Sequence, residues 1–375
     1  ILSRYLGAKE FHKANQTASN GIFLSFCTAC ACCVLCIFGI TPYFHLLSDN
    51  IAIVGYGVTY TKIVGIFCFG IFFQTMFEKL LQSTGKTMYS MFTQLLGAVI
   101  NIILDPILIF GLIGFPKLGV AGAAIATVIG QFLSCFLGLY FNLTKNKEIV
   151  ISFHKYPVSW KMIRNIYSIG IPSIIMGAIG SVMNFGMNKI LLVYSSTAAA
   201  VFGVYFKLQS FVFMPVFGLN NGMTPIVAYN FGARKPKRIK RTIQLSWVIA
   251  FGIMIFAFLC FQILPKQLLE LFSASDNMLA IGIPALRIIS FHFMLASFSI
   301  IALSTCQALG HGIMSMSVSI LRQLVVLLPV AYILSRIGGL QAVWFAYPIA
   351  ELAAVILAAI FLRVVLRKEI HPLYS

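Results

Sequence analysis

The sequence predicts an all-α polytopic membrane protein made of two similar halves, and three observations lead to this fold class. The chain is 60% hydrophobic and only 10% charged over 375 residues, with a mean hydropathy of +0.95. Its apolar residues gather in long runs, and segments of the first half recur in the second half. Because a soluble domain averages about 25% charged residues, this composition excludes a soluble globule with one apolar core.

Ten segments are long and apolar enough to cross a bilayer as helices, which requires about 20 mostly apolar residues each. A transmembrane β-barrel would instead show segments of about ten residues with alternating polarity, and the sequence has no such pattern. The predicted spans are residues 20–42, 54–80, 90–113, 119–142, 165–194, 200–226, 243–264, 281–306, 314–335 and 341–363.

Basic residues are concentrated in alternate loops. They cluster before the first span, after the second, fourth and sixth spans, and at the end of the chain, whereas the opposite loops carry only Lys117, Lys266 and Arg336. This distribution follows the positive-inside rule and predicts that both ends of this chain are cytoplasmic. Since the basic residues form no single face, the net charge of +18 is not taken as a sign of nucleic-acid binding.

The internal repeat has a spacing of 225 residues. Gly7-Ala8 recurs as Gly232-Ala233, and LQSTGKTMYSM from Leu81 recurs as CQALGHGIMSM from Cys306. Twofold repeats are typical of transporters, whose substrate site lies between two halves.

The same spacing predicts the domain organisation. The partners of spans 165–194 and 200–226 would precede Ile1, so we expect the first two helices of a twelve-helix protein to be missing here. We expect a partial N-terminal lobe over residues 1–142, a cytoplasmic loop over 143–164, and a C-terminal lobe with a tail over 165–375.

Asp105 is the best-placed candidate for ion binding, because a charged residue at bilayer depth is costly and so marks a functional hypothesis. Asn101 lies four residues earlier on the same helical face, and Pro106 frees a nearby backbone carbonyl. These oxygens suit Na⁺ or a proton. The alternative is an aspartate stabilised by a neighbouring Lys or Arg, with no transport role.

Four further residues are candidates for a cavity or for coupling. Glu78 lies near the cytoplasmic end of its span and Glu351 lies deep in the last span, where it matches Gln131 at a spacing of 220 residues. Arg322 is an intramembrane cation that could line a cavity or neutralise an acid. For Glu78, an interfacial carboxylate is an equally good interpretation.

No motif indicates catalysis. Gly85-Lys86-Thr87 resembles the end of a phosphate-binding loop, but Leu80 occupies the position of its first glycine. With no ATPase motif, transport energy is expected to come from an ion gradient. We therefore expect a non-enzymatic protein with no cofactor and no metal other than Na⁺.

The run GKTMYSMFTQLLGAVINIILDPILIFG, followed by LGVAGAAIATVIGQ, resembles the multidrug and toxic compound extrusion (MATE) family. LSRYLGAKEFHKA and PIVAYNFGARKPKRIKR resemble that family's paired cytoplasmic segments. The resemblance implies a MATE-type fold of two six-helix lobes, with ten of twelve helices present. It also implies an antiporter that exchanges Na⁺ or H⁺ for organic, often cationic, compounds. We expect a monomer in the bacterial plasma membrane.

The resemblance also implies a cation site in the first lobe. The family's Asp and Asn match Asp105 and Asn101, its Thr matches Thr127, and its Tyr matches Tyr60. The remaining family acid belongs to the missing segment. Another branch carries an acid in its seventh helix, where this chain has Gly180, so coupling is expected in the first lobe alone.

Two other functions remain open from the sequence. The first is a lipid-linked oligosaccharide flippase of related architecture. The segments LDPILIFG and GVAGAAIAT favour the MATE resemblance over this function. The second is a membrane scaffold or transport-inactive fragment.

Overall fold

The computed structural model describes residues 1–47 and 50–374, and the described part of the chain is helical with short turns and no strand. It forms two compact units, which we call unit 1 (residues 1–166) and unit 2 (from Tyr167 onward). The division lies near the start of a long helix rather than in a loop, because that helix begins at Trp160.

The described residues of unit 1 form six complete helices: α1 (Leu2–Gly7), α2 (Phe11–Leu47), α3 (Ile51–Ile66), α4 (Phe69–Ser83), α5 (Thr87–Phe110) and α6 (Val120–Thr144). Helix α7 (Trp160–Leu192) begins in unit 1 and continues into unit 2. The Asn50 side chain caps α3 by accepting hydrogen bonds from two backbone amides. Gly111 closes α5 in the left-handed conformation that glycine adopts without steric cost.

Unit 2 contains seven further α-helices: α8 (Ser196–Gly232), α9 (Pro236–Ile263), α10 (Pro265–Glu270), α11 (Asp276–Ala308), α12 (Gly312–Ile320), α13 (Leu328–Val343) and α14 (Ala346–Val365). A π-helical segment, Leu321–Leu327, joins α12 to α13. A second π-helical turn, Leu366–Ile370, and a 3₁₀ turn, His371–Tyr374, follow α14. The central helix is α11, whose residues Leu286, Ile289 and Phe293 are fully buried against α8, α9 and α14.

Within the described residues, nine helical segments are long and apolar enough to cross a membrane, and the count is ten if the bent pair α3–α4 is taken as one span. The ten predicted spans correspond to the second count. The sequence predicted a continuous helix over 54–80, whereas α3 and α4 meet at a bend of 51°. The bend keeps its backbone groups bonded, since the amide of Phe67 donates to Ile63 and that of Gly70 donates to Phe67.

The 225-residue repeat is visible in the backbone of the turn that follows α1 and α8. Lys9 and Arg234 are non-glycine residues with positive φ, 61° and 52°. After them, the amide of Glu10 donates to Tyr5 and that of Lys235 donates to Asn230, each over 2.9 Å. Sequence similarity in the two segments therefore corresponds to the same helix-ending geometry.

A second pair of turns repeats in the same way. Gly85 and Gly310 have φ of 82° and 95°, and each is followed by an amide that donates back into the preceding helix over 2.8 Å. The helices that follow also agree, because Ser90 and Ser315 are both buried. These matches confirm the repeat at the level of local structure.

Large apolar side chains cover much of the outer surface of both units. Phe38 on α2 and Phe211 on α8 are 76% and 78% exposed. Such extensive apolar exposure indicates contact with lipid, since monomeric soluble proteins rarely expose large contiguous apolar patches.

Candidate functional site

Two glycines bring α5 and α6 into close contact in unit 1. A Cβ atom at Gly130 would lie 2.9 Å from the carbonyl oxygen of Gly97, and a Cβ atom at Gly97 would collide with the Ser134 hydroxyl. Small residues allow helix backbones in a membrane to approach one another. The approach also brings together polar side chains that lie about one turn away, on both helices.

Asn101, Asp105 and Thr127 meet at this contact. The Asn101 amide nitrogen donates to Asp105 Oδ1 and to Thr127 Oγ1, each over 3.3 Å. The Thr127 hydroxyl donates in turn to the Ala123 carbonyl over 2.9 Å. The structure thus brings together three of the residues that the sequence assigned to a cation site. We call them the Asp105 trio.

The hydrogen bonds of the Asp105 trio leave oxygen atoms available. Both N–H groups of Asn101 are used, so its amide oxygen remains an acceptor. Asp105 is half-buried, and no ion pair formed by the described residues includes it. A carboxylate without a cationic partner inside a helix bundle favours the arrival of a cation or a proton. This arrangement supports ion binding over the alternative of an aspartate paired with Lys or Arg.

Tyr60 and Gln131 lie on the helices that surround the trio. Tyr60 is on α3, which packs against α6, but the described hydrogen bonds do not connect it to the trio. Gln131 lies one turn after Thr127 on α6, and its buried side-chain oxygen has no hydrogen-bond donor within the described part of the chain. The role of Tyr60 therefore stays a prediction.

Glu78 is held by neutral donors. Its carboxylate accepts hydrogen bonds from Gln74 (3.0 Å), Thr93 (3.3 Å) and Gln94 (3.0 Å), and the residue is buried. These contacts join α4 to α5. Glu78 thus joins α4 to α5 through buried hydrogen bonds, and the choice between an interfacial carboxylate and a cavity role stays a prediction.

In unit 2, Arg322 and Glu351 form a buried ion pair. Arg322 Nη1 lies 3.3 Å from Glu351 Oε2, and the Ser299 hydroxyl donates to Oε1 of the same carboxylate. Glu351 is almost completely buried, whereas the Arg322 side chain is 26% exposed. Arg322 thus lies beside an acid that it can neutralise, and the ion pair also lines a cavity.

The cavity in unit 2 has a volume of about 260 Å³. Its lining residues are mostly aromatic or apolar, and they include Phe206, Phe213, Phe217, His292, Tyr347 and Leu327. Gly180 on α7 also lines it, and a Cβ atom there would lie 3.8 Å from the Gln323 side-chain oxygen. Gly180 is the position at which the family resemblance implies an acid in another branch. In this chain the glycine leaves the cavity without a carboxylate there.

Comparison with known proteins assigns the family. A family model described as MatE matches residues 1–107 and 172–333, which is more than half of the chain. This chain belongs to the MatE family of membrane transporters. The match includes both copies of the internal repeat and Asp105.

Curated MatE relatives are similar along nearly the whole chain. The multidrug export protein MepA of Staphylococcus haemolyticus is 29% identical over 361 residues, which are 95% of this chain and 78% of the relative. MepA of Staphylococcus saprophyticus is 28% identical over 372 residues, 98% of this chain and 80% of the relative.

Solved structures support the MatE fold. The crystal structure of MATE in the bent conformation matches with a TM-score of 0.93 at 22% identity, covering 100% of this chain and 83% of the other. A MOP superfamily transporter from Pyrococcus furiosus matches with a TM-score of 0.92 at 23% identity, covering 100% and 82%. At this level of identity the likeness shows the fold alone.

Several functional contacts were not predicted from the sequence. The residues that bind Glu78 and Glu351, namely Thr93, Gln94 and Ser299, are common polar residues with no distinctive spacing relative to their partners. His292 lines the cavity of unit 2, and no motif in the sequence marks it as a candidate. The one available signal was the isolation of Arg322 and Glu351 as opposite charges in apolar spans.

Proposed function

We propose that this MatE-family protein is a secondary active multidrug efflux antiporter of the bacterial plasma membrane. It exchanges Na⁺ or H⁺ for organic compounds by alternating access, with both ends of this chain in the cytoplasm. The observation that carries the proposal is the Asp105 trio, a half-buried carboxylate with free oxygen acceptors and no cationic partner in the described residues. Support for multidrug export comes from relatives that are named multidrug export proteins.

Coupling follows from the chemistry of the Asp105 trio. A hard cation such as Na⁺ is bound by oxygen ligands, which the carboxylate, the Asn101 amide oxygen and the Thr127 hydroxyl supply. A proton would be bound by the carboxylate alone. Either ion shifts the conformational equilibrium only if it binds one state more tightly than the other. Charge neutralisation of Asp105 favours the state in which the trio is most shielded from water, because burying an unpaired charge is costly.

The test is efflux of a fluorescent cationic dye, with Na⁺ and pH gradients imposed separately. Asp105→Asn removes the charge while preserving the shape, and we expect it to abolish ion-driven efflux at normal abundance in the membrane. The matched control is Asp276→Asn, at the exposed start of α11 outside the predicted spans. Efflux by Asp105→Asn at the rate of the parent protein would refute the assignment.

The ion dependence of the parent protein separates the two coupling ions, since only a proton-coupled protein responds to a pH gradient without Na⁺. If the protein is instead a lipid-linked oligosaccharide flippase, we expect it to translocate a lipid headgroup and not to export the dye. A transport-inactive fragment would show neither activity under any gradient.

A further inference from the structure

The cavity in unit 2 combines aromatic walls with one charged pair. Phe206, Phe213 and Phe217 come from α8, and Tyr347 comes from α14. The His292 ring stacks on Phe213 and lies 5.8 Å from the Tyr347 ring centroid. Aromatic side chains favour offset or edge contacts with other flat rings. These walls therefore suit an aromatic ligand.

The size of the cavity limits that ligand. Pockets that bind drug-sized molecules measure roughly 300–1,000 Å³, and this cavity, at about 260 Å³, lies just below that range. One ring or two fused rings with a small polar substituent fit the available volume. A larger compound would have to extend outside it.

Hydrogen-bonding groups of both kinds face the same cavity. A guanidinium carries five N–H donors, and the contacts of the described residues engage Arg322 in one hydrogen bond, to Glu351. His292 Nδ1 donates to the Ile289 carbonyl over 2.6 Å, so the neutral ring keeps Nε2 as an acceptor. Gln209 and Gln323 add amide groups to the lining.

The backbone around Arg322 is unusual. Arg322 and Gln323 lie in the π-helical segment Leu321–Leu327, between the two α-helical parts of one span. Short π-helical stretches within α-helices occur frequently at functional sites. Here the segment places a cation and an amide at the cavity, just before an apolar run over residues 324–330.

The charge balance decides the ligand class. Arg322 and Glu351 sum to no net charge, and they are the charged members of the described lining. A ligand with a full charge of either sign would be left without a counter-ion beside mostly apolar walls and the almost completely buried Glu351, which is costly. A net-neutral ligand avoids this cost and can still accept a hydrogen bond from Arg322.

We propose that this cavity is a binding subsite for net-neutral, planar aromatic compounds, with a carbonyl or similar acceptor facing Arg322. The Arg322–Glu351 pair sets its charge selectivity. The inference rests on the proposed export function for its biological role, because it names a class of exported compound. Binding itself needs no ion gradient and can be measured separately.

Three probes with the same ring system test the proposal: neutral 2-naphthamide, anionic 2-naphthoate and cationic 2-naphthylmethylammonium. Binding to the purified protein in nanodiscs is measured by fluorescence titration without an ion gradient. We expect 2-naphthamide to bind at least about tenfold more tightly than either charged probe, because the neutral probe does not bring an unpaired charge into the cavity.

Single neutralising substitutions should change the preferred charge. Glu351→Gln leaves Arg322 as the only charge, so 2-naphthoate should become the best probe. Arg322→Gln leaves Glu351, so 2-naphthylmethylammonium should become the best probe. If Arg322→Gln does not fold, Glu351→Gln and the double variant decide. The double variant has no charge, and it should still reject both ions while binding 2-naphthamide more weakly.

A purely structural ion pair predicts a different result, because its loss would weaken all probes alike. Binding of the cation in preference to the amide by the parent protein would overturn the proposal. So would unchanged charge selectivity in Glu351→Gln, or the absence of binding by every probe. Arg287→Gln is the matched control, since Arg287 is exposed on α11 and bonded to the Gln262 carbonyl outside the cavity lining.

The outcomes for the two proposals are distinguishable. Unchanged charge selectivity in Glu351→Gln, together with normal dye efflux, would contradict the subsite alone. Ion-driven efflux that survives Asp105→Asn would contradict the coupling site alone.

Discussion

At the same place in the 225-residue repeat, unit 1 has Gly97 and unit 2 has Arg322. Around Gly97, α5 and α6 touch through their backbones, and the acid two turns later, Asp105, accepts a hydrogen bond from the neutral Asn101 and forms no ion pair with the described residues. Around Arg322, the helix is π-helical, an ion pair joins it to α14, and a cavity of about 260 Å³ adjoins the pair.

The difference shows that a shared backbone frame does not imply a shared site. The turns after α1 and α8 agree in φ and in hydrogen bonding, although Lys9 and Glu10 in the first correspond to Arg234 and Lys235 in the second. Between these turns, glycine lets α5 and α6 touch through their backbones in unit 1, whereas an ion pair joins the Arg322 segment to α14 in unit 2. In unit 1, Asp105 therefore has no cationic partner among the described residues, whereas in unit 2 Glu351 is paired with Arg322.

The largest expected effect concerns the ion pair of unit 2. Arg322→Gln leaves the buried Glu351 carboxylate without a cation, and we expect the free energy of unfolding to fall by about 3–5 kcal/mol. Adding Glu351→Gln should restore most of it, because the buried charge is then removed. Thermal unfolding of the purified variants in detergent measures both changes.

Asp105→Asn provides the comparison from unit 1. If Asp105 has no built-in counter-ion, its neutralisation should leave stability near that of the parent protein. Equal unfolding temperatures for Arg322→Gln and the parent protein would show that the pair in unit 2 contributes no stability. The contrast between the two units would then be wrong.

The next effect concerns the glycine contact of unit 1. Gly130→Leu inserts a side chain where a Cβ atom would already lie 2.9 Å from the Gly97 oxygen. We expect a loss of about 1–3 kcal/mol from overpacking, with separation of the Asn101–Thr127 hydrogen bond. Gly39→Leu is the control, because Gly39 is exposed on α2 with no heavy atom within 4 Å of the added Cβ. Similar unfolding temperatures for the two variants would argue against direct helix packing at this place.

The smallest effect concerns the repeated turn. Lys9→Gly and Arg234→Gly each relieve a positive φ but make the unfolded chain more flexible, so the two terms nearly cancel. We expect the two variants to change stability equally, within about 0.5 kcal/mol. Lys13→Gly, within α2, should instead cost about 1 kcal/mol. Unequal effects at Lys9 and Arg234 would show that the two turns do not contribute equally to stability, despite their similar backbone geometry.

The sequence by itself determined the helical membrane class, the repeat and the shared helical face of Asn101 and Asp105. These features depend on local patterns: a span requires a long apolar run, and Asn101 and Asp105 share a helical face through their spacing of four residues. Thr127 was placed through family resemblance, and the contact between Gly97 and Gly130 now accounts for its proximity.

Only the tertiary structure decided which residues meet across distant helices. The pairing of Arg322 with Glu351 and Ser299, the burial of Glu78 and the bend between α3 and α4 all depend on packing between segments that are far apart in the chain. Inside a membrane, burying a polar side chain is favourable only if a neighbouring helix supplies a hydrogen-bond or charge partner. Apolar periodicity carries no information about that partner, and so the cavity of unit 2 became visible only in the folded chain.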